Sequence, residues 1–464
     1  MNTPRILLAA GASGSGKTLI TCGILQALVN RGLQVSSFKC GPDYIDPMFH
    51  SRVIGTRSAN LDTFFTTEEC TRYLLGRNAM GSDISVMEGV MGYYDGVGGM
   101  TTRASAYDLA CVTDTPVVLI VNSRGMSVSL AAYIKGFLEY RADSRIRGVI
   151  FNRMSPMLYP RMKKLAEEEL GVTVLGYVPE VKDCVIESRH LGLVLPEEID
   201  GLRERLNQLA QVLEETLDME KLLELARTAP GLPDVSFANP ASTYRLSEPV
   251  RVGVAADEAF CFIYKDNLRL LEEMGAQLVY ISPLHDGQLP EDLDGLLLYG
   301  GYPELHAHVL EENRSMRRSV QLALDDGMAC MAECGGFMYL HEEMEDMDGI
   351  GHRMAGVIKG RAYRTERLSR FGYITLESKA GDIFGKIPAH EFHYFDSTDC
   401  GKDFHASKPE STRGWDCMHR TDRMLAGFPH LYYYGNPEIP RWFLENCLAY
   451  KRCRYEKNSV QKKM

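Results

Sequence analysis

In the first half of the chain, short apolar runs at residues 6–10, 35–39, 84–87, 117–122, 146–152 and 172–177 alternate with stretches of helical periodicity. Continuous apolar runs separated by amphipathic helices predict a mostly parallel sheet covered on both faces. Residues 196–228, rich in Leu, Glu and Arg, predict one long surface helix with an apolar stripe. The pattern breaks at 229–248, where Pro, Ser, Asn, Ala and Gly follow no period, as in a linker. It restarts with predicted strands at 250–255, 277–281, 295–298 and 329–332 and a β-like segment around 370–377. The expected organisation is an α/β chain with two doubly wound domains, 1–228 and 249–456, joined by 229–248. The Lys/Arg-rich end from residue 451, including the tail 457–464, is expected to fray.

A length of 464 residues agrees with at least two packed units, and 45% hydrophobic with 24% charged residues is ordinary globular composition. No apolar run approaches the roughly 18 residues of a membrane span. The N-terminal apolar run is short and passes at once into a glycine loop, unlike a signal peptide, so the expected compartment is the cytoplasm. A net charge of −11 removes the electrostatic basis for coating nucleic acid. Twelve cysteines without a CxxC pair predict neither a disulfide framework nor structural zinc.

The segment Gly11-Ala-Ser-Gly14-Ser-Gly16-Lys17-Thr18 satisfies GxxxxGK[ST] between an apolar strand and a helical run at 19–30. Such glycines let backbone N–H groups curl around phosphate oxygens. Lys17 neutralises the β/γ-phosphates and the Thr18 hydroxyl joins a Mg²⁺ shell, which points to ATP. A P-loop NTPase-like first domain follows. Mg²⁺ also wants carboxylates, and Asp43, Asp46 and Glu88 lie at predicted strand ends, where open parallel sheets bind ligands. The alternative for Asp43 and Asp46 is a Pro-bounded turn. Asn152 either faces a nucleobase or caps a turn.

In the second half, Cys334 in Ala-Glu333-Cys334-Gly335-Gly follows an apolar strand and precedes a helix-like run at 337–343. Strand, sharp turn and helix make a nucleophile elbow, and the helix N-terminus is expected to lower the thiol pKa. The Gly-rich strand end around Gly301, with Gly335, offers backbone N–H groups for an oxyanion hole. Among twelve histidines, His430 and the pair His390 and His393 compete for the role of base, and spacing does not choose. His-Glu-Phe-His is one residue short of HExxH and is not read as a metal site. Arg361, Arg364, Arg367 and Arg370 recur every three residues, suiting either a polycarboxylate substrate or a solvated helix face.

Taken together, the loop at 11–18, Gly41-Pro-Asp43-Tyr44-Ile-Asp46-Pro with Lys39 before it, Met87-Glu88-Gly-Val-Met-Gly92, Gly300-Gly-Tyr-Pro-Glu304, Glu333-Cys-Gly-Gly336 and His390-Glu-Phe-His-Tyr394 resemble the cobyrinate a,c-diamide synthase family. The resemblance spans about residues 5–447. It implies a dethiobiotin-synthetase-like ATP domain joined to a class I glutamine amidotransferase-like domain, with glutamine and a corrinoid as substrates and a homodimer as the assembly. By position it makes Cys334 the nucleophile and His430 its base. Gly11, Gly14, Gly16, Lys17, Thr18 and Asn152 then serve the nucleotide, and Thr18, Asp43 and Glu88 the metal. Asp43, Asp46 and Glu88 serve the synthetase chemistry. Apart from the resemblance, Lys39, Tyr44, Arg361 and Arg364 are the candidates toward the substrate, the solvated face staying open for the arginines. Two positions depart from the family pattern: Tyr432 stands where a His is common, two residues after His430, and Asn122 stands where an Asp is usual. Rival readings are the same chemistry on hydrogenobyrinate or nickel-sirohydrochlorin, and an ATP-dependent partitioning switch.

Overall fold

The computed structural model describes residues 3–181, 196–232, 237–381 and 383–461. The chain divides into two units, Met1–Phe237 and Ala238–Met464.

Seven strands form the sheet of the first unit: β1 (Arg5–Ala10), β2 (Val35–Cys40), β3 (Arg57–Leu61), β4 (Ile84–Glu88), β5 (Val117–Asn122), β6 (Ile146–Asn152) and β7 (Thr173–Val178). All pairings are parallel, in the order β3-β2-β4-β1-β5-β6-β7. Strand β1 lies at the centre with all six residues buried, which its unbroken apolar run requires. The helix α1 (Lys17–Asn30) packs behind it, and Ile20, Ile24, Leu25 and Leu28 join the same core as Ile6 and Leu8. Strand order reverses around β1, so the loops leaving β1 and β4 open side by side at the carboxyl edge.

Two first-half expectations change. Strand β3 has no apolar run in Arg57-Ser-Ala-Asn-Leu61 and pairs only β2; it is an edge strand whose Asn60 amide donates to the Gly41 and Asp43 carbonyls. The single helix expected over 196–228 is two, Pro196–Thr216 and Met219–Arg227. Asp218 ends the first by donating its N–H to Leu175 O at 2.7 Å and caps the second by accepting Lys221 N–H at 3.0 Å.

Within 229–248, Ala229 and Leu232 are buried, and the fully buried Arg5 reaches Pro230 O at 2.8 Å, pinning the start of this segment to the first unit. Pro240–Thr243 forms a helical turn capped by Asn239.

The second unit has a six-stranded sheet built from β8 (Val250–Ala255), β9 (Ala276–Ile281), β10 (Gly295–Leu298) and β11 (Ala329–Glu333), completed by the later strands β20 (His419–Arg420) and β21 (Met424–Gly427) in the order β20-β21-β11-β10-β8-β9. Only β20 is antiparallel. Between β11 and β21 the chain forms β12 (His341–Glu345), β13 (Gly351–Arg353), β14 (Ile358–Arg364), β15 (Arg370–Ser378), β16 (Lys386–His393), β17 (Phe395–Ser397), β18 (Phe404–Ser407) and β19 (Gly414–Cys417). These build the sheets β13-β12-β14-β17 and β19-β18-β15-β16-β22, the last closed by β22 (His430–Leu431).

The helix expected over 337–343 is Gly335–Tyr339, and the chain then turns into β12. His341 fixes that turn, with Nδ1 against Phe337 O at 2.9 Å and Nε2 against Ser397 Oγ at 2.6 Å. The end of the chain is helical over Glu438–Gln461 instead of frayed from 451. Acids hold its cations: Arg454 meets Asp294 at 2.7 Å and Lys457 meets Asp326 at 2.7 Å. Among the described residues no helix is long and apolar enough to cross a membrane.

Candidate active sites

At the first site, Gly14 and Gly16 hold φ of +75° and +90°, a left-handed backbone that a Cβ would strain. Gly11 is needed for a different reason: a Cβ there would lie 1.8 Å from Tyr133 Oη. α1 begins at Lys17 with no side-chain cap, leaving the N–H groups of its first turn to an anion. Lys17 donates to the Met91 carbonyl. Burial, then the neighbouring Lys39, lowers its pKa.

Carboxylates gather beside the loop because of sheet register, which pairs Lys39 of β2 with Glu88 of β4 and Glu88 with Leu8 of β1. Lys39 Nζ lies 2.8 Å from Glu88 Oε1, in direct contact with Asp46, and 3.8 Å from Asp43. Burial works against the Lys39 charge, yet Glu88, Asp46 and Asp43 overcome it and hold the pKa well above an ordinary lysine. Glu88 is pushed up to about 7 by burial despite Lys39. Burial also acts to raise Asp46, but Lys39 and His50 win and its pKa falls; Asp43 is raised by burial and by Asp46.

Thr18 Oγ1 donates to Glu88 Oε1 at 2.7 Å, and Glu88 Oε2 has no hydrogen-bond partner. This oxygen pair fits Mg²⁺, a hard cation. Asp43 is committed differently: its Oδ1 accepts Ile45 N–H at 2.9 Å and Asp46 N–H at 3.1 Å, starting the helix α2 (Ile45–Phe49) after the buried Tyr44. The turn reading of Asp43 therefore describes what its Oδ1 does here.

Asn152 does not present a free amide to a nucleobase. Its Nδ2 donates to Ser15 O at 2.8 Å and its Oδ1 accepts Arg153 N–H at 2.9 Å, so it braces the loop from β6. Asn122 Oδ1 accepts Arg124 N–H at 3.3 Å, an ordinary strand-end turn. Beside Gly11 opens a cavity of about 570 Å³ walled by Tyr94, Tyr133, Phe137 and Tyr140 with Arg141 at its edge. Sequence reasoning missed it, because these aromatics come from two distant segments that meet only in the fold.

At the second site, Cys334 sits between β11 and the helix Gly335–Tyr339 with φ +47°, the strained turn expected of an elbow. Gly335 and Gly336 permit it: a Cβ on Gly336 would lie 2.0 Å from Leu298 O, and one on Gly335 3.2 Å from Gly301 N. Gly301 and Gly335 thus bring their backbones together beside the sulfur. His430 and Cys334 both flank Gly300, where an added Cβ would meet His430 Cε1 at 2.5 Å and Cys334 Cβ at 3.4 Å. His430 converges on Cys334, while His390 stacks on His430 with centroids 4.9 Å apart and His393 stacks on Phe428.

The helix N-terminus does not leave a low thiol pKa as expected. Burial first, then the nearby half-buried Glu304, pushes the Cys334 thiol up, and burial pulls His430 down to about 3. A site closed around neutral groups explains both directions. Tyr432, two residues past His430, turns its hydroxyl to Asp266 Oδ2 at 3.1 Å.

Arg361 and Arg364 lie on β14, so their spacing is not helical. Arg361 is 3.7 Å from Glu345, and Arg364 donates to Met347 O. Arg361 also lines, with Arg314, Arg317, Arg318 and Arg353, an open cleft of about 1600 Å³.

Two family models match the chain: a CobQ/CobB/MinD/ParA nucleotide binding domain over residues 6–193 and a CobB/CobQ-like glutamine amidotransferase domain over 251–436. Proteins named cobyrinate a,c-diamide synthase are similar along nearly their whole length. That of Caldanaerobacter subterraneus is 37% identical, covering 97% of this chain and 99% of the relative. That of Priestia megaterium is 36% identical over 98% and 99%, and that of Listeria innocua 38% over 94% and 97%. Among solved structures, a glutamine amidotransferase aligns with 42% of this chain and 98% of its own at 18% identity and TM-score 0.32. The shared length, and both sites standing inside the two matched domains, lead to one conclusion: the chain belongs to the cobyrinate a,c-diamide synthase family.

Proposed function

We propose that this chain converts the a and c acetate carboxylates of cobyrinate to carboxamides in cobalamin biosynthesis, using ATP, Mg²⁺ and glutamine-derived ammonia. The observation that carries the reading is the convergence of Cys334 and His430 in the same chain as a phosphate loop with a buried carboxylate cluster.

In the second unit, His430 takes the Cys334 proton and the sulfur attacks the glutamine carboxamide. The Gly301 and Gly335 N–H groups hold the oxyanion, and His430 returns the proton to departing ammonia. Water then releases glutamate from the thioester. In the first unit, Lys17 and the α1 N-terminus hold ATP while a substrate carboxylate attacks the γ-phosphorus, the bond to the bridging oxygen breaks and ADP leaves. Ammonia displaces phosphate from the acyl phosphate. Thr18 and Glu88 would hold Mg²⁺, which supplies charge neutralisation on the phosphates. Lys39, in contact with Asp46, would meet an incoming substrate carboxylate, with Tyr44 at the start of α2 toward the same substrate. The aromatic cavity at Gly11 offers flat apolar walls to the macrocycle within its unit, and its size suits a ligand site. The enzyme is assigned to the cytoplasm, and a homodimer is the assembly to be tested by sedimentation.

The test offers cobyrinate, hydrogenobyrinate and nickel-sirohydrochlorin separately with ATP and glutamine, and weighs the products. Two amides on cobyrinate are expected; turnover only on another macrocycle would reassign the substrate. Cys334→Ser is expected to abolish glutamine use and spare free ammonia, whereas Lys17→Ala abolishes both. Glutamine-dependent synthesis surviving in Cys334→Ser would remove Cys334 as nucleophile.

A further inference from the structure

Glu333 is the last residue of β11 and directly precedes the strained Cys334. It is 3% exposed, yet among the described residues no lysine or arginine forms an ion pair with it. Its Oε2 lies 3.6 Å from Nδ1 of His430, and it accepts the backbone N–H of Leu431, the next residue on β22. Its Oε1 has no hydrogen-bond partner. Tyr299 and Tyr433, whose hydroxyls lie 3.1 Å apart, complete the surroundings. Burying a carboxyl with one backbone donor and no cation is costly, so packing alone gives no reason for a glutamate here. Among the described residues, the imidazole of His430 is the group that stands within ion-pair distance of it.

A base that deprotonates a nucleophile works best when a third group holds it in one tautomer and balances the charge it gains. Strand order supplies that group here. β11 and β21 are neighbours, and the chain leaving β21 at Gly427 brings His430 back beside the end of β11. Tyr432 is turned away toward Asp266 and packs edge-on against Tyr264, with centroids 5.1 Å apart.

We propose that Glu333 is the positioning residue of the thiol site: its carboxylate accepts the Nδ1–H of His430, leaving Nε2 to serve Cys334. The inference rests on the reading of the second unit as a glutaminase. The proton balance is simple. The thiol proton moves to His430 Nε2, the S–C bond forms, the C–N bond breaks, and the same proton leaves with ammonia. Glu333 stays ionised throughout and stabilises the imidazolium between the two transfers.

Burial pushes Glu333 up to about 8, so the competent, ionised form gains population as pH rises toward that value. The other titratable and charged groups facing the site among the described residues are His390 and His393 toward His430, with Lys408 behind His390, Tyr299 and Tyr433 against Glu333, and Glu304 and Glu391 around Cys334.

The experiment measures glutamine hydrolysis by the full-length protein against pH for wild type, Glu333→Gln and Glu333→Asp. Ammonia-dependent amidation and thermal unfolding are followed in parallel. For Glu333→Gln, kcat is expected to fall about 100-fold or more with KM for glutamine nearly unchanged, and the rising limb toward pH 8 disappears. Glu333→Asp keeps the limb and part of kcat. Ammonia-dependent amidation is unchanged in both. A Glu333→Gln kcat within threefold of wild type with the same pH profile would overturn the proposal. So would a Glu333→Asp variant that folds but behaves like Glu333→Gln. Failure of wild type to hydrolyse glutamine would instead overturn the glutaminase reading, so the two failures are distinct.

Discussion

The two sites bury acids in opposite ways. Around Lys39, one ammonium lies within 3.8 Å of three carboxylates, so charges removed from water find one another. Around Cys334, Glu333 and Glu391 are buried, at 3% and 2% exposure, and no ion pair with lysine or arginine is seen for either among the described residues. Burial pushes these two up to about 8 and about 7. The difference follows the chemistry each site has to host. In the proposed function a metal and a polyphosphate bring large charges, and carboxylates already paired with an ammonium can exchange partners with them. A thiol and an imidazole pass one proton back and forth, and a low-charge enclosure leaves that small displacement unscreened.

The largest test of this contrast removes the ammonium. Lys39→Met would leave Glu88, Asp46 and Asp43 facing each other without a cation, at a cost of about 3–5 kcal/mol at neutral pH. The deficit is expected to shrink as pH falls through the carboxylate range, since protonated carboxyls need no counter-ion. Denaturant midpoints of the first transition at pH 7.5 and 5 check it, and an unchanged midpoint at pH 7.5 would mean the cluster is solvated.

Glu333→Gln tests the other side with the opposite sign. Unfolded Glu333 loses its proton near pH 4.5, whereas the folded residue keeps it to about 8, so the folded state holds the extra proton between these values. Stability therefore declines as pH rises across this window, and the penalty is complete above it. The Gln variant is expected to be more stable than wild type by about 2–5 kcal/mol at pH 8.5, converging with it at pH 4. Equal unfolding curves at pH 8.5 would break the contrast between the two sites.

The smallest effect falls on the phosphate loop. Asn152→Ala removes the brace on Ser15 O, and ATP affinity is expected to drop by about fivefold to tenfold, the worth of one hydrogen bond. Isothermal titration with ATP measures it, and glutamine hydrolysis serves as the internal control.

Sequence patterning reached far into the first unit because its strands are buried on both faces, and such strands read as unbroken apolar runs. β3 escaped because an edge strand of Arg, Ser, Ala and Asn has no such run. Of the strands β12 to β19 only β15 was expected, as the β-like segment around 370–377; β14 escaped because it buries just Ile358 and Ala362, and Arg361 and Arg364 looked equally at home on a helix. At the sites, Lys17, Thr18 and Cys334 were legible because phosphate loops and nucleophile elbows need particular residues at adjacent positions. The nearness of His430 to Glu333, the commitment of Asn152 to the loop, and the pairing of Lys39 with Glu88 were not.

What the sequence alone determined, then, is what depends on neighbours along the chain: strand runs, the glycine loop, the small residues around a strained cysteine, and the excess of acid. What only the tertiary structure decided depends on residues far apart in number. Register brought Lys39 to Glu88, strand order returned His430 to Glu333, and packing set Tyr94 against the aromatics at 133, 137 and 140. Burial then set the charge states, lifting the Cys334 thiol where a helix terminus by itself would have lowered it, because desolvation acts through every neighbouring atom and leaves no mark in the local sequence.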